Sequence, residues 1–298
     1  LETMNFGNPI ADTPNVEFVQ ADILDYPAVQ KAMQGVTDVI HLAGIVTDEL
    51  VDMNHVKAMR VNLIGTQNVA EAAAKAGVTR LIYASSSSVY GAQDVVCTED
   101  TPPKPQTVYA ATKLVGEDIV NRYARDMTVV SVRCATCCGP APRMRLDTIV
   151  NIFSAQAYFD GVITVHGGDQ YRTNVHVDDA VGLYCFLLDA PRKIINGKAY
   201  NLASVIGYHS ASDLGMKVKV IAYNSGLPAP KLIIDKSKHD SRSYRMDASR
   251  LEMELGFRAE RLIDQAVREN FRWFQEGHIK DWKSDLYYNT RRMEAMLK

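Results

Sequence analysis

Leu81-Ile-Tyr-Ala-Ser-Ser-Ser-Ser-Val-Tyr-Gly91 and, a little further on, Thr107-Val-Tyr-Ala-Ala-Thr-Lys113 decide how this chain is read. The first is an apolar strand running into four hydroxyls and a glycine. In the second, Tyr109 and Lys113 stand four residues apart, on one face of a helix. A free phenol has a pKa near ~10 and is a poor base at neutral pH. A neighbouring ammonium favours the phenolate and is expected to bring Tyr109 toward the working range. A strand-end serine with a helical tyrosine and lysine is a kit for moving a proton off a sugar or alcohol hydroxyl during hydride transfer.

Outward from these two stretches, apolar strand-like runs alternate with helical patterns, which predicts a parallel sheet covered on both faces. Residues 16–19, 36–42, 79–84 and 127–133 read as strands; 26–33, 54–76 and 109–125 read as helices. The alanine-rich run Val69-Ala-Glu-Ala-Ala-Ala-Lys-Ala76 is closed by Gly77, a helix stop. Beyond Pro140 the pattern loosens and Pro and Gly become frequent.

With 298 residues the chain can bury a substantial core. Its 33 basic and 35 acidic residues give a formal charge of −2, which offers no electrostatic case for nucleic acid or an anionic membrane. No apolar stretch approaches the ~18 residues of a membrane helix, and no signal peptide is visible. The five cysteines have no disulfide-framework spacing and suit a reducing cytoplasm. Cys134 and Cys137 form a C-x-x-C at the end of an apolar strand, a spacing found in redox sites and half zinc sites. With no second Cys or His pair beside it, the motif reads as small buried residues and free thiols.

An ordered set of short matches now resembles the extended short-chain dehydrogenase/reductase family of nucleotide-sugar epimerases, dehydratases and reductases. They are Asp22-Ile23 after Val16-Glu-Phe-Val19, His41-Leu-Ala-Gly44, Val61-Asn-Leu-Ile-Gly-Thr66, the serine strand and the Tyr/Lys helix, then Gly167-Gly-Asp-Gln-Tyr-Arg172, His176-Val-Asp-Asp179 and Asp240-Ser-Arg-Ser-Tyr244. The resemblance implies an α/β, Rossmann-like, doubly wound parallel sheet with a smaller C-terminal substrate-binding lobe. Residues 1–141 and 171–203 would form the dinucleotide-binding domain, and 142–170 and 204–298 the nucleotide-sugar lobe. The family's first strand and Gly-rich pyrophosphate turn have no counterpart here, so the chain is expected to begin inside the domain, at the end of the second strand. A truncated, cofactor-free relative is the alternative, and it would leave apolar sheet edges exposed.

The same resemblance assigns roles. Ser86, four before Tyr90, takes the catalytic serine position, with Tyr109 and Lys113; Lys113 also meets the nicotinamide ribose. Ser87 and Ser88 read as solvated strand-end hydroxyls. The family's 4,6-dehydratases carry an Asp-Glu pair at those two places, an acid and a base for removing water, and its decarboxylases a Glu. NAD is the implied cofactor. Glu2 would meet the adenosine ribose, or else is a frayed terminal residue; Asp22 and Ile23 would meet the adenine, Asp22 otherwise being a loop cap. Ala43 and Gly44 would let the backbone approach the dinucleotide. Arg172 and Arg242 match pyrophosphate clamps, suited by bidentate guanidinium geometry, and Asn151 matches the residue that orients the nucleotide sugar. Arg143 and Arg145 sit on a loop that either touches substrate or is solvated. Asp178 and Asp179 read as caps of the next helix and His176 as structural. Cys138 replaces the tyrosine of the family's Tyr-Gly-Pro, so the hexose is not named by the sequence. The implied reaction is NAD-dependent C4 epimerisation of a nucleotide sugar, with a 4-keto-sugar reductase or an inactive dinucleotide sensor as alternatives. A homodimer through helices 54–76 and 109–125 is the implied assembly.

Overall fold

Val129, Val130 and Val132 are β-branched and fully buried, and this run forms the strand Thr128–Cys134 at the centre of the molecule. The computed structural model describes residues 14–204, 207–237 and 243–297, so Glu2 and Arg242 lie outside the described residues. Four parallel strands run in the order Asp38–His41, Arg80–Ala84, Thr128–Cys134 and Lys198–Leu202, with Leu81 opposite Val39 on one side and Val129 on the other. Parallel neighbours need long crossovers. The helices Thr66–Lys75, Val108–Asn121 and Val177–Asp189 supply them.

Side chains alternate across the sheet. Leu81, Tyr83 and Val129 meet Val69, Ala70, Ala73 and Val120 on one face. Ile82, Val130 and Val132 meet Leu183, Leu187, Tyr200 and Leu202 on the other. A third core lies in the C-terminal half, where Val162–His166 pairs parallel with Lys231–Asp235 and helices Ile149–Ala155, Ala211–Asn224 and Ile263–Gln275 pack together. Tyr244, Met246, Leu251 and Ala259 do not join it. They belong to the sheet core, because Arg245–Met246 pairs with Val96–Cys97; the expected lobe had taken in all of 204–298.

Two further differences have physical causes. The expected strand at 16–19 does not form, and Val16, Phe18 and Val19 are exposed. A strand needs a hydrogen-bonded neighbour, and among the described residues nothing pairs with the outer side of Asp38–His41. That edge is apolar and open, with Leu42 59% exposed. The expected helix over 54–76 begins at His55, and its middle, Arg60–Gly65, winds as a π-helical turn before α-helix resumes at Thr66. The widened turn carries Asn62 toward the end of the sheet, and such turns are frequent at functional sites.

Candidate active site

Arg80–Ala84 ends at Ala84, and the chain turns through Ser85 and Ser86 into a short 3₁₀ turn, Ser87–Tyr90. Ser86 caps that turn: its hydroxyl accepts from the Ser88 amide at 3.2 Å and from the Ser88 hydroxyl at 2.9 Å. Thr107 caps the next helix by accepting from the Ala110 amide at 3.1 Å, which starts the helix one residue before Tyr109. Gly116 lets this helix close onto the sheet, since a Cβ there would meet the Tyr83 hydroxyl at 2.1 Å.

Ser86 and Tyr109 come together. Burial pushes the Tyr109 phenol up to about 12, while a hydrogen bond from Ser86 and the Arg145 guanidinium act in the opposite direction. Lys113 does not supply the lowering that the spacing suggested. Its ammonium donates to the Ala84 carbonyl at 2.7 Å and stands 5.2 Å over the Tyr83 ring. At 4% exposure, its own pKa is brought down by burial to about 8. Beside it, burial first and Lys113 second hold His41 neutral, with a pKa of about 4.

The lysine has a consequence for stability. The folded chain releases this proton near pH 8, the unfolded chain near 10.5. Between those values the unfolded state binds more protons, so the residue's contribution to stability rises with pH across that window. Relative to Lys113→Met, wild type is expected to gain thermal stability from pH 8 to 10.5. A difference in melting temperature that stayed flat over this range would contradict the burial of a titrating amine.

The residues expected to meet the cofactor gather beside one helix. Gly65 is packed against Ile23, and Asn68 donates to the Ile23 carbonyl at 2.9 Å. Earlier in the same helix, Asn62 clamps Ile45, accepting from its amide at 2.7 Å and donating to its carbonyl at 2.9 Å, and reaches Thr112 on the catalytic helix at 3.1 Å. A Cβ on Gly44 would stand 3.1 Å from Asn62 Oδ1 and 3.9 Å from Lys113 Nζ, so a larger residue would crowd Asn62. Ala43 beside it is exposed. Asp22 is exposed too; its carboxylate accepts from the Leu24 amide, the cap reading. These segments all lie at the C-terminal edge of the parallel strands, where α/β sheets bind ligands. They fit one side of a dinucleotide.

Other expected residues are placed differently. Asn151 is buried and bonded to protein, accepting from Gly139 N and Asn270 Nδ2 and donating to the Arg145 carbonyl, so it fixes the 139–145 loop. Arg143 is tied to Asn289, whereas Arg145, ion-paired to Asp147 at 2.9 Å, acts on Tyr109. The Arg172 guanidinium donates to the Tyr171 carbonyl at 3.0 Å. His176 caps the helix Val177–Asp189 and bonds Glu269 at 2.8 Å; Arg261 ties Asp178 to Glu269, a satisfied ion-pair cluster. Asp179 binds the Arg261 amide instead of capping its own helix.

Three features were not anticipated. Ser87 is buried, not solvated, and pairs with the Tyr244 hydroxyl at 2.9 Å. Asn62 joins the Gly44–Ile45 loop to the helix Val108–Asn121. Glu117 and Arg133 form a buried, two-point ion pair under the site, at 6% and 8% side-chain exposure. Their signal was present in the sequence: an acid on the helix face of Lys113 and an arginine inside an apolar strand each need a buried partner.

A parallel sheet with a Ser/Tyr/Lys group at its C-terminal edge and the Gly44–Ile45 loop beside it defines a dinucleotide-dependent enzyme of α/β type. Residues 3–203 match the profile of the NAD dependent epimerase/dehydratase family, and the chain belongs to that family. It is 25% identical over 274 residues to a dTDP-glucose 4,6-dehydratase of Streptomyces niveus, covering 90% of this chain and 79% of that one. With a UDP-glucose 4-epimerase of Bacillus subtilis it shares 27% over 293 residues, 91% of this chain and 85% of the relative. Among solved structures it resembles MoeE5 in complex with UDP-glucuronic acid and NAD, at TM-score 0.76, 25% identity and coverage of 87% and 85%. The cofactor is NAD, and no helix among the described residues is long and apolar enough to cross a membrane.

Proposed function

We propose that this enzyme is a nucleotide-sugar epimerase that acts at C4 through a transient 4-keto sugar. The observation that carries the reading is the chemistry of positions 87 and 88. Ser87 is held by Tyr244, and Ser88 donates to Ser86. Neither is a carboxylate, so the acid and base that 4,6-dehydration requires at those places are missing, despite the dehydratases among the relatives. The carboxylate felt by Tyr109 is that of Asp48, a single group on another helix; one carboxylate does not replace an acid–base pair.

Ser86 and Tyr109 then share the C4 oxygen: Tyr109 exchanges its proton and Ser86 hydrogen-bonds it. NAD, when bound, takes the C4 hydride and gives it back. Lys113, Gly44, Ala43, Asp22 and Ile23 would hold the dinucleotide, with Glu2 at its far ribose. Arg172 and Arg242 would clamp the pyrophosphate, and Asn151 acts by setting the loop that carries Arg145. The nucleotide-sugar lobe would comprise residues 142–170 with most of 204–298, and the compartment would be the cytoplasm. The test is incubation with UDP-, GDP-, dTDP- and CDP-hexoses while cofactor absorbance is followed. Isomerisation without net cofactor change supports the epimerase; stoichiometric consumption of reduced cofactor with a keto-sugar supports a reductase instead.

We also propose a homodimer. Val69, Ala72, Ala73 and Val120 are buried against the chain's own sheet, Ile119 is buried as well, and all five are unavailable to a partner. The surface left on the two adjacent helices is Val56, Met59, Ile64 and Val115, with Ile64 50% exposed. Light scattering at micromolar concentration is expected to give twice the chain mass, and Ile64→Glu to halve it. A one-chain mass for the native protein would eliminate the dimer.

A further inference from the structure

The C-x-x-C has a geometry that its sequence context did not suggest. Thr128–Cys134 and the short strand Thr136–Cys138 meet at Ala135, whose amide is held by the Leu202 carbonyl at 2.8 Å while Thr136 N is held by Thr173 at 3.2 Å. That kink brings the Cys134 and Cys137 sulfurs to 3.7 Å. Both are half-buried, whereas Cys97 and Cys138 are buried and Cys185 is exposed on a different helix. The pair stands at the C-terminal end of a central strand, on the ligand side of the sheet. Arg145 acts electrostatically on Cys137 and on Tyr109 alike, and Tyr184 feels Cys134, Cys137 and Tyr109 together. The dithiol and Tyr109 therefore lie within electrostatic reach of the same two side chains, Arg145 and Tyr184.

We propose that Cys134 and Cys137 form a reversible disulfide by exchange with a small disulfide of the glutathione class, and that closing it suppresses turnover. Either thiol can donate in the contact between the two sulfurs; the contact lowers the Cys137 pKa against the effect of burial, with Arg145 also lowering it, and raises that of Cys134. Cys137 is thus the attacking thiolate. It bonds to one sulfur of RS–SR and expels RS⁻. Cys134 then loses its proton and attacks the Cys137 sulfur of the mixed disulfide, expelling the second RS⁻. Two electrons pass from the dithiol to the reagent, which leaves as two RSH. Closure shortens the sulfur separation from 3.7 Å to roughly 2.05 Å. On this proposal, closure shifts the strand end on the ligand side of the sheet, and a displacement on the order of 1 Å in a catalytic constellation costs about 10²-fold in rate.

The test uses the full-length enzyme equilibrated with oxidised and reduced glutathione at graded ratios, quenched with an alkylating agent, denatured, alkylated again and digested with trypsin. Peptide Cys134–Arg143 carries three cysteines. After oxidation it is expected to carry one alkylated cysteine, at Cys138, and to be lighter than the fully alkylated unlinked peptide by two alkylation increments and two mass units more. Turnover is expected to fall at least tenfold in step with that peptide and to return with dithiothreitol. Cys185→Ser is expected to respond as wild type and Cys134→Ser to stay active in oxidant. The mass reading is independent of which sugar is turned over. Absence of the linked peptide at every ratio would overturn the proposal, and so would its formation with turnover unchanged, or a loss that followed glutathione on Cys185.

Discussion

Tyr109→Phe is expected to lower turnover of the nucleotide sugar by roughly 10²-fold or more, the scale of a lost general acid–base, while leaving substrate affinity nearly unchanged. The structure explains both halves. The ring is fixed by a helix whose start is set by Thr107 and whose face is seated on Tyr83 through Gly116, so removing one oxygen alters little of the packing. The hydroxyl is what Ser86 and Arg145 act upon, and these two groups work against the burial that pushes its pKa to about 12. An equal fall in kcat and kcat/KM identifies an interaction made when the proton moves. Steady-state kinetics on the variant, with its dinucleotide content matched to wild type, read this directly. Near-native kcat would remove Tyr109 from the chemistry.

Arg133→Met is expected to destabilise the fold by about 3–5 kcal/mol, because it leaves the Glu117 carboxylate buried without its partner. Arg133 binds Glu117 through Nε and Nη2 at 3.0 and 2.8 Å and reaches Tyr90 at 3.0 Å. Ser85 donates to the same carboxylate at 2.5 Å, and Tyr90 passes the network on to Asn201 at 2.7 Å. This chain of bonds joins the serine turn to the catalytic helix four residues beyond Lys113, so it also holds Ser86 and Tyr109 in register. The double variant Arg133→Met/Glu117→Leu is expected to recover much of the loss, since no charge is then stranded. Denaturant melts of the three proteins decide it. A single variant within about 1 kcal/mol of wild type would mean that the pair is not buried in solution.

What the sequence disclosed depended on how local each determinant is. The strands Arg80–Ala84 and Thr128–Cys134 and the helix Val108–Asn121 were legible because apolar period and β-branched run lie within a few residues. The strand expected at 16–19 failed because pairing belongs to a neighbour, not to Val16 or Phe18 themselves. Ser87 looked solvated because its partner, Tyr244, lies 157 residues away. The face shared by Tyr109 and Lys113 was correct, but the direction of the ammonium was not: the Ala84 carbonyl, twenty-nine residues upstream, takes it. Asn62 was hidden by a π-helical turn that the alanine-rich pattern around it does not announce. The thiol pair was visible as a spacing, and only the kink at Ala135 gives that spacing a contact.

The central claim is that the hydride taken from C4 returns to C4. A nucleotide hexose carrying deuterium at C4 should be incubated with the full-length, NAD-loaded enzyme and its product examined by NMR and mass spectrometry. The account predicts the C4 epimer with deuterium still on C4 and no label left in the cofactor pool. Deuterium found at C6 of a 4-keto-6-deoxy sugar, or retained in reduced cofactor released with a keto product, would contradict it.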